Sequence, residues 1–143
     1  MNETTALNQQ VKEKIKNPLL HAVNCIYIPV ADYEKSAEWY GEYLGLIRVS
    51  PGSNIVLLGN GTWMFLCEAD GESPNFVATD GTVISPFTFE TEDIVTLHQS
   101  LTRGGAEVEP VEDFGDCGLK FWFKDPDGNK FHVWQDPFKA ANR

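Results

Sequence analysis

The sequence predicts an α+β fold: two tandem βαβββ modules forming a curved mixed sheet around a cavity, with an added helix at the N-terminus. Three observations carry that expectation. Asp32 and Asp93 each stand just before a helical pattern, 61 positions apart, and the same succession of elements follows both, which is how a duplicated module reads. Residues 118–135, GLKFWFKDPDGNKFHVWQ, read as two strands joined at Asp125-Pro126-Asp127-Gly128. There an acidic first position, a proline with preset φ and a glycine able to take positive φ make a tight turn. Along these strands Leu119, Phe121, Phe123, Phe131 and Val133 form an apolar face, while Lys120, Trp122, Lys124, Lys130, His132 and Trp134 form the other. That second face suits neither a dry core nor an open surface, and fits the wall of a pocket.

In chain order, residues 3–17 carry Leu7, Val11 and Ile15 at four-residue spacing and end at Pro18, the pattern of an amphipathic helix. Its narrow apolar stripe suits an element lying on the body or on a second subunit. Residues 20–30 read as a strand through Val23, Ile26, Ile28 and Val30, with Cys25 and Tyr27 on the opposite face. Asp32 is an N-cap for a helix over 33–44 whose Ala37, Tyr40 and Leu44 share a face, and Gly45 stops it. Strands follow at 46–50, 54–58 and 62–68, separated by Pro51-Gly52 and Gly59-Asn60-Gly61. Residues 69–81 are rich in turn formers and make a linker. A strand over 82–91 sets Phe87 and Phe89 against Pro86, Thr88 and Glu90. Next come a helix over 93–102 with Ile94, Leu97 and Leu101 inward, a strand at 108–111 and the closing hairpin. The organisation is thus an extension at 1–19, one domain at 20–137 with modules 20–68 and 82–137, and a tail at 138–143.

A chain of 143 residues buries one domain's core. Its net charge of −10 repels phosphate backbones, so nucleic acid is not an expected partner, whereas a cationic ligand is favoured. No apolar run is long enough to span a bilayer, and no membrane association is expected. The first residues lack the apolar core of a secretory signal, and Cys25, Cys67 and Cys117 form an odd set without paired spacing. Both features point to free thiols in the cytoplasm.

Several stretches together resemble the vicinal oxygen chelate superfamily, which includes glyoxalase I, bleomycin-resistance proteins and extradiol dioxygenases. They are Ile28-Pro-Val-Ala-Asp32 leading into Ser36-Ala-Glu-Trp-Tyr40 and Tyr43-Leu-Gly45, then Phe89-Glu-Thr-Glu-Asp93, and Asp125-Pro-Asp-Gly-Asn129. The resemblance spans about residues 20–137. It implies paired βαβββ modules, frequent homodimers and, in members with activity, a divalent ion such as zinc, nickel, iron or manganese. His or Gln on each module's first strand and Glu on its last would hold that ion. Counting back from Asp32 and Asp93, the first-strand positions fall on Cys25 and Pro86. The last-strand positions fall on His132 and on Leu66, or on Glu68 after a two-residue slip.

Proline has no side-chain donor, so the resemblance implies a defective metal site, with Cys25, His132 and Glu68 as the surviving candidates and His21 near them in sequence. Cys25 as a nucleophile paired with His132 lacks an identifiable orienting third group. No cofactor is therefore expected. The leading expectation is a metal-free small-molecule binder, of a kind that sequesters a toxic compound, since bleomycin-resistance proteins are acidic dimers that hold a cationic drug between aromatic rings. Tyr27, Trp122 and Trp134, with Glu68 and Glu90, are the expected ligand-binding residues; Lys120, Lys124 and Lys130 would instead attract an anion. The alternatives are a metal-dependent lyase, isomerase or dioxygenase with altered ligands, and a fold used only for dimerisation or regulation.

Overall fold

Short runs of β-branched and aromatic residues, buried at alternate positions, build two four-stranded mixed sheets in the computed structural model, which describes residues 18–140. In the first sheet β1 (Cys25–Val30) pairs in parallel with β4 (Trp63–Glu68), followed outward by β3 (Ile55–Leu57) and β2 (Ile47–Arg48). In the second, β7 (Thr88–Glu90) pairs in parallel with β10 (Lys130–Gln135), followed by β9 (Leu119–Lys124) and β8 (Glu112–Asp113). Helix α1 (Tyr33–Leu44) connects β1 to β2, and α2 (Ile94–Arg103) connects β7 to β8. Each parallel pair needs such a crossover, because a hairpin cannot join parallel neighbours. A short α3 (Pro137–Ala140) follows the last strand.

The caps have the expected chemistry. Asp32 accepts from the Glu34 and Lys35 N–H groups, and Asp93 from that of Thr96. Ile28, Val30, Val56, Met64 and Leu66 of the first sheet meet Phe121, Phe123, Phe131 and Val133 of the second in one core. Ala37 and Tyr40 of α1 and Ile94 and Leu101 of α2 complete it. One face of each sheet is thereby covered, and the other is left open.

The loop between β9 and β10 ties the two halves together. Asp127 accepts from the Ala31 N–H at 2.8 Å and the Ser36 hydroxyl at 3.3 Å, and Asn129 donates to the Pro29 carbonyl at 2.8 Å. Asp125, nearly inaccessible to solvent, accepts from the Tyr40 hydroxyl at 2.6 Å and from its own loop at Asp127 N, Asn129 N and Asn129 Nδ2.

Several predicted elements differ in extent. The strand expected at 20–30 begins at Cys25, and Leu19, Leu20 and Val23 are exposed. The strand expected at 82–91 is split into β6 (Val83–Ile84) and β7, with Pro86 between them offering no N–H for a ladder. The linker holds β5 (Phe76–Val77), paired with β6, and its Asn75 exchanges two hydrogen bonds with the Lys130 backbone. Instead of a strand at 108–111, Val108 makes an isolated bridge to Phe123 and β8 starts at Glu112. The helix predicted at 3–17 lies outside the described residues. Among the described residues no helix is long and apolar enough to cross a membrane.

Candidate functional site: an open-face cleft on the second sheet

Strand alternation decides which side chains reach the open faces. On β9 and β10 the phenylalanines and Val133 turn into the core, so Lys120, Trp122, Lys130, His132 and Trp134 turn outward. Register then arranges them in rows. Thr88, His132 and Trp122 lie side by side across β7, β10 and β9, and the next row runs Glu90, Trp134, Lys120 and Glu112. These residues line a cleft of about 650 Å³, rimmed by Thr82, Glu109 and Phe114.

Two features fix its walls. The Trp134 indole N–H donates to the Cys117 carbonyl at 2.8 Å, and its ring passes over Gly118, where a Cβ would meet Trp134 Nε1 and come within 2.6 Å of the Gln135 carbonyl. Gly118 also holds φ at +96°, so the position needs glycine twice over. Lysine ammonium groups lie on the aromatic faces: Lys130 Nζ is 4.9 Å and Lys124 Nζ 5.9 Å from the Trp122 centroid, and Lys120 Nζ is 5.3 Å from that of Phe114.

The cleft also displaces its titrations. Burial first, then the charges of Lys130 and Lys120, lower the His132 pKa and favour the neutral imidazole. Burial, followed by the neighbouring Glu112 charge, raises the Glu109 carboxyl.

All but one of the sequence-predicted ligand-binding and metal residues divide between two surfaces. Trp122, Trp134, His132 and Glu90 line the cleft, as do Lys120 and Lys130. Tyr27 does not; it lies on the open face of the first sheet, 65 % exposed and stacked on Phe65 at 5.3 Å. Cys25 shares that face and pushes the Tyr27 phenol above its ordinary pKa through a hydrogen bond. Glu68 belongs to neither wall. It ends β4 and its carboxylate accepts from the Tyr33 N–H at 3.3 Å, at the start of α1.

The parallel registers also correct the predicted equivalences. His132 lies opposite Thr88, which is five residues before Asp93; five residues before Asp32 is Tyr27, which lies opposite Phe65. The position on the first sheet that matches His132 in register is therefore Phe65. Leu66 is one position out, and being 1 % exposed it belongs to the core. A one-residue shift along a strand exchanges its faces, which is why the count along the sequence misplaced this position. His98 of α2 is half-buried, with Nε2 2.8 Å from the Glu109 carbonyl and its ring in a T-shaped contact with Phe121.

For a family-type ion these residues do not fit. Pro86 has no donor, Leu66 is buried in the core, Glu68 is engaged at α1, and Cys25 and His132 lie on different sheets. Among the described residues no three His, Cys, Asp or Glu side chains come together as a metal-binding group. Thr82, Phe114, Glu109 and Glu112 were not predicted for the cleft. The rim comes from segments outside the closing hairpin, and only folding brings them beside β9 and β10.

Comparison with known proteins agrees with this architecture. No curated protein sequence matches the chain. A glyoxalase/bleomycin resistance protein/dioxygenase superfamily member from Sphaerobacter thermophilus DSM 20745 aligns with a TM-score of 0.62 at 25 % identity, covering 83 % of this chain and 100 % of that one. A glyoxylase/bleomycin resistance protein/dioxygenase domain from Frankia sp. EAN1pec gives 0.61 at 22 % identity, covering 82 % and 93 %. An antibiotic binding protein from Streptomyces sp. CB03234 gives 0.60 at 21 % identity, covering 84 % and 99 %. With a sequence match over residues 19–133 to the family described as glyoxalase/bleomycin resistance protein/dioxygenase, the chain belongs to that superfamily.

Proposed function

We propose that this protein binds a small planar molecule in the cleft of the second sheet and needs no family-type metal ion to do so, as a protein that sequesters a compound would. The observation that carries this reading is the cleft itself, where two tryptophans, a histidine and two lysines converge on one strand pair. A concave site with aromatic walls and convergent polar groups is the form small-molecule sites take. The superfamily's other chemistry, that of a metal-dependent lyase, isomerase or dioxygenase, is less well supported because the family's donor positions are occupied by Pro86 and Phe65. An antibiotic binding protein built on the same fold suits a binding role.

The cleft is walled by one sheet, whereas the first sheet leaves Tyr27 and Trp63 exposed on its own open face. In this reading two copies associate as a homodimer in which the first sheet of one covers the cleft of the other, and Tyr27 enters the site from there. Such an arrangement buries both open faces at once.

A thermal-shift screen of flat aromatic compounds tests the binding role. Stabilising compounds should act equally in excess EDTA and lose their effect on Trp122→Ala, because ligand stabilisation requires an intact site in the native state. Stabilisation abolished by EDTA, or unchanged in Trp122→Ala, would overturn the reading.

A further inference from the structure

The charges in the cleft indicate what kind of molecule it takes. Its lining includes Glu90, Glu109 and Glu112 as well as Lys120 and Lys130, so formal charge alone does not decide between a cation and an anion. Position does. A cationic ligand would be received on an aromatic face, and two of the three rings, Trp122 and Phe114, already carry the chain's own ammonium groups, Lys130 and Lys124 on Trp122 and Lys120 on Phe114. A second cation brought to the same rings would meet like charge at short range.

The same lysines are available to an anion. Lys124 is paired with Glu107 at 3.3 Å, but among the described residues neither Lys120 nor Lys130 has a carboxylate within ion-pair distance. Among the described residues Lys130 donates to the Val83 carbonyl, at 3.1 Å. An ammonium has three donors, so two remain for a ligand. Between these lysines, His132 forms the middle of the floor. Burial first, then the Lys130 and Lys120 charges, act on its titration, so both ammonium groups are felt at the floor, and Lys130 is felt by Glu109 as well.

We infer that the molecule bound here is a planar anion, an aromatic carboxylate or phenolate, with its ring against Trp122 and Trp134 and its negative oxygen between Lys120 and Lys130. This rests on the proposed binding role and names the ligand class for that same cleft.

Three probes with one ring and different charge separate the possibilities: naphthoate, naphthamide and naphthylmethylammonium, titrated calorimetrically into the full chain. Naphthoate should bind at least about tenfold tighter than naphthamide, the size of effect a charge-assisted hydrogen bond gives, with the ammonium weakest. Lys130→Met and Lys120→Met should each remove most of that preference while changing naphthamide affinity by less than about twofold. Equal or tighter binding of the amide or the ammonium overturns the anion assignment and leaves small-molecule binding standing. A naphthoate preference that survives both substitutions also overturns it. Failure of all three probes to bind overturns both readings for a ring of this size.

Discussion

Tyr40 and Asp125 form the most consequential single contact in the core. The phenol is fully buried and donates to Asp125 Oδ2 at 2.6 Å, while Asn129 Nδ2 donates to the same oxygen at 2.9 Å. Burial, then the Asp125 charge, hold the Tyr40 pKa well above its ordinary 10.0. The folded chain therefore keeps a proton that the unfolded chain releases. Stability from this group is complete below pH of about 10 and declines as pH rises beyond it. Tyr40→Phe should cost about 1–3 kcal/mol near neutral pH, because Asp125 loses a donor in a dry site. It should also flatten the alkaline loss of stability. Urea midpoints on either side of pH 10 check both, and an unchanged alkaline slope in the variant would refute the assignment. Asp125 works in the opposite sense to most acids: burial raises its pKa despite the hydrogen bonds it accepts. Its contribution is complete below the unfolded carboxyl pKa and is lost as pH rises through the folded value.

At the level of elements, the strands also complete the helices. The buried side chain of Gln135, at the end of β10, accepts from the Ile94 N–H at 2.6 Å, so the first turn of α2 is capped by Asp93 from within and by a strand from outside. Gln135→Ala should destabilise the protein by about 1–2 kcal/mol, in the range of a lost N-cap with a stranded buried donor. Chemical denaturation measures this directly; a change within error would mean that water satisfies Ile94. Elements differ in how readily they are read. Helices α1 and α2 and the closing hairpin follow from local signals: aspartate caps, apolar spacing and the Asp125-Pro126-Asp127-Gly128 turn. Two-residue strands such as β2, β5, β6 and β8 are held by pairing with neighbours, and their own residues hardly specify them.

Across the whole molecule, two sheets share one core and leave their opposite faces open, and the two open faces differ in chemistry. One carries Lys120, Lys130 and His132; the other carries Tyr27, Trp63 and Phe65 with Cys25 and Cys67. If the proposed homodimer covers the second of these, a charge placed at Trp63, which is 43 % exposed, should disfavour association. Sedimentation velocity should then show wild-type dimers and Trp63→Glu monomers with unchanged circular dichroism. A wild-type monomer, or a Trp63→Glu dimer, would rule out this face as the contact.

The sequence by itself determined the periodicities, the caps, the closing turn and the face of β9 and β10 that carries Trp122, His132 and Trp134, because each depends on residues close along the chain. Only the tertiary structure decided that Phe65 and not Leu66 is the partner of the His132 position, that Glu68 serves α1, and that Tyr27 lies on a different surface from the cleft. Those outcomes depend on strand register and on which sheet faces which. Register is set by packing between segments distant in sequence, and a shift of one residue sends a side chain from solvent to core.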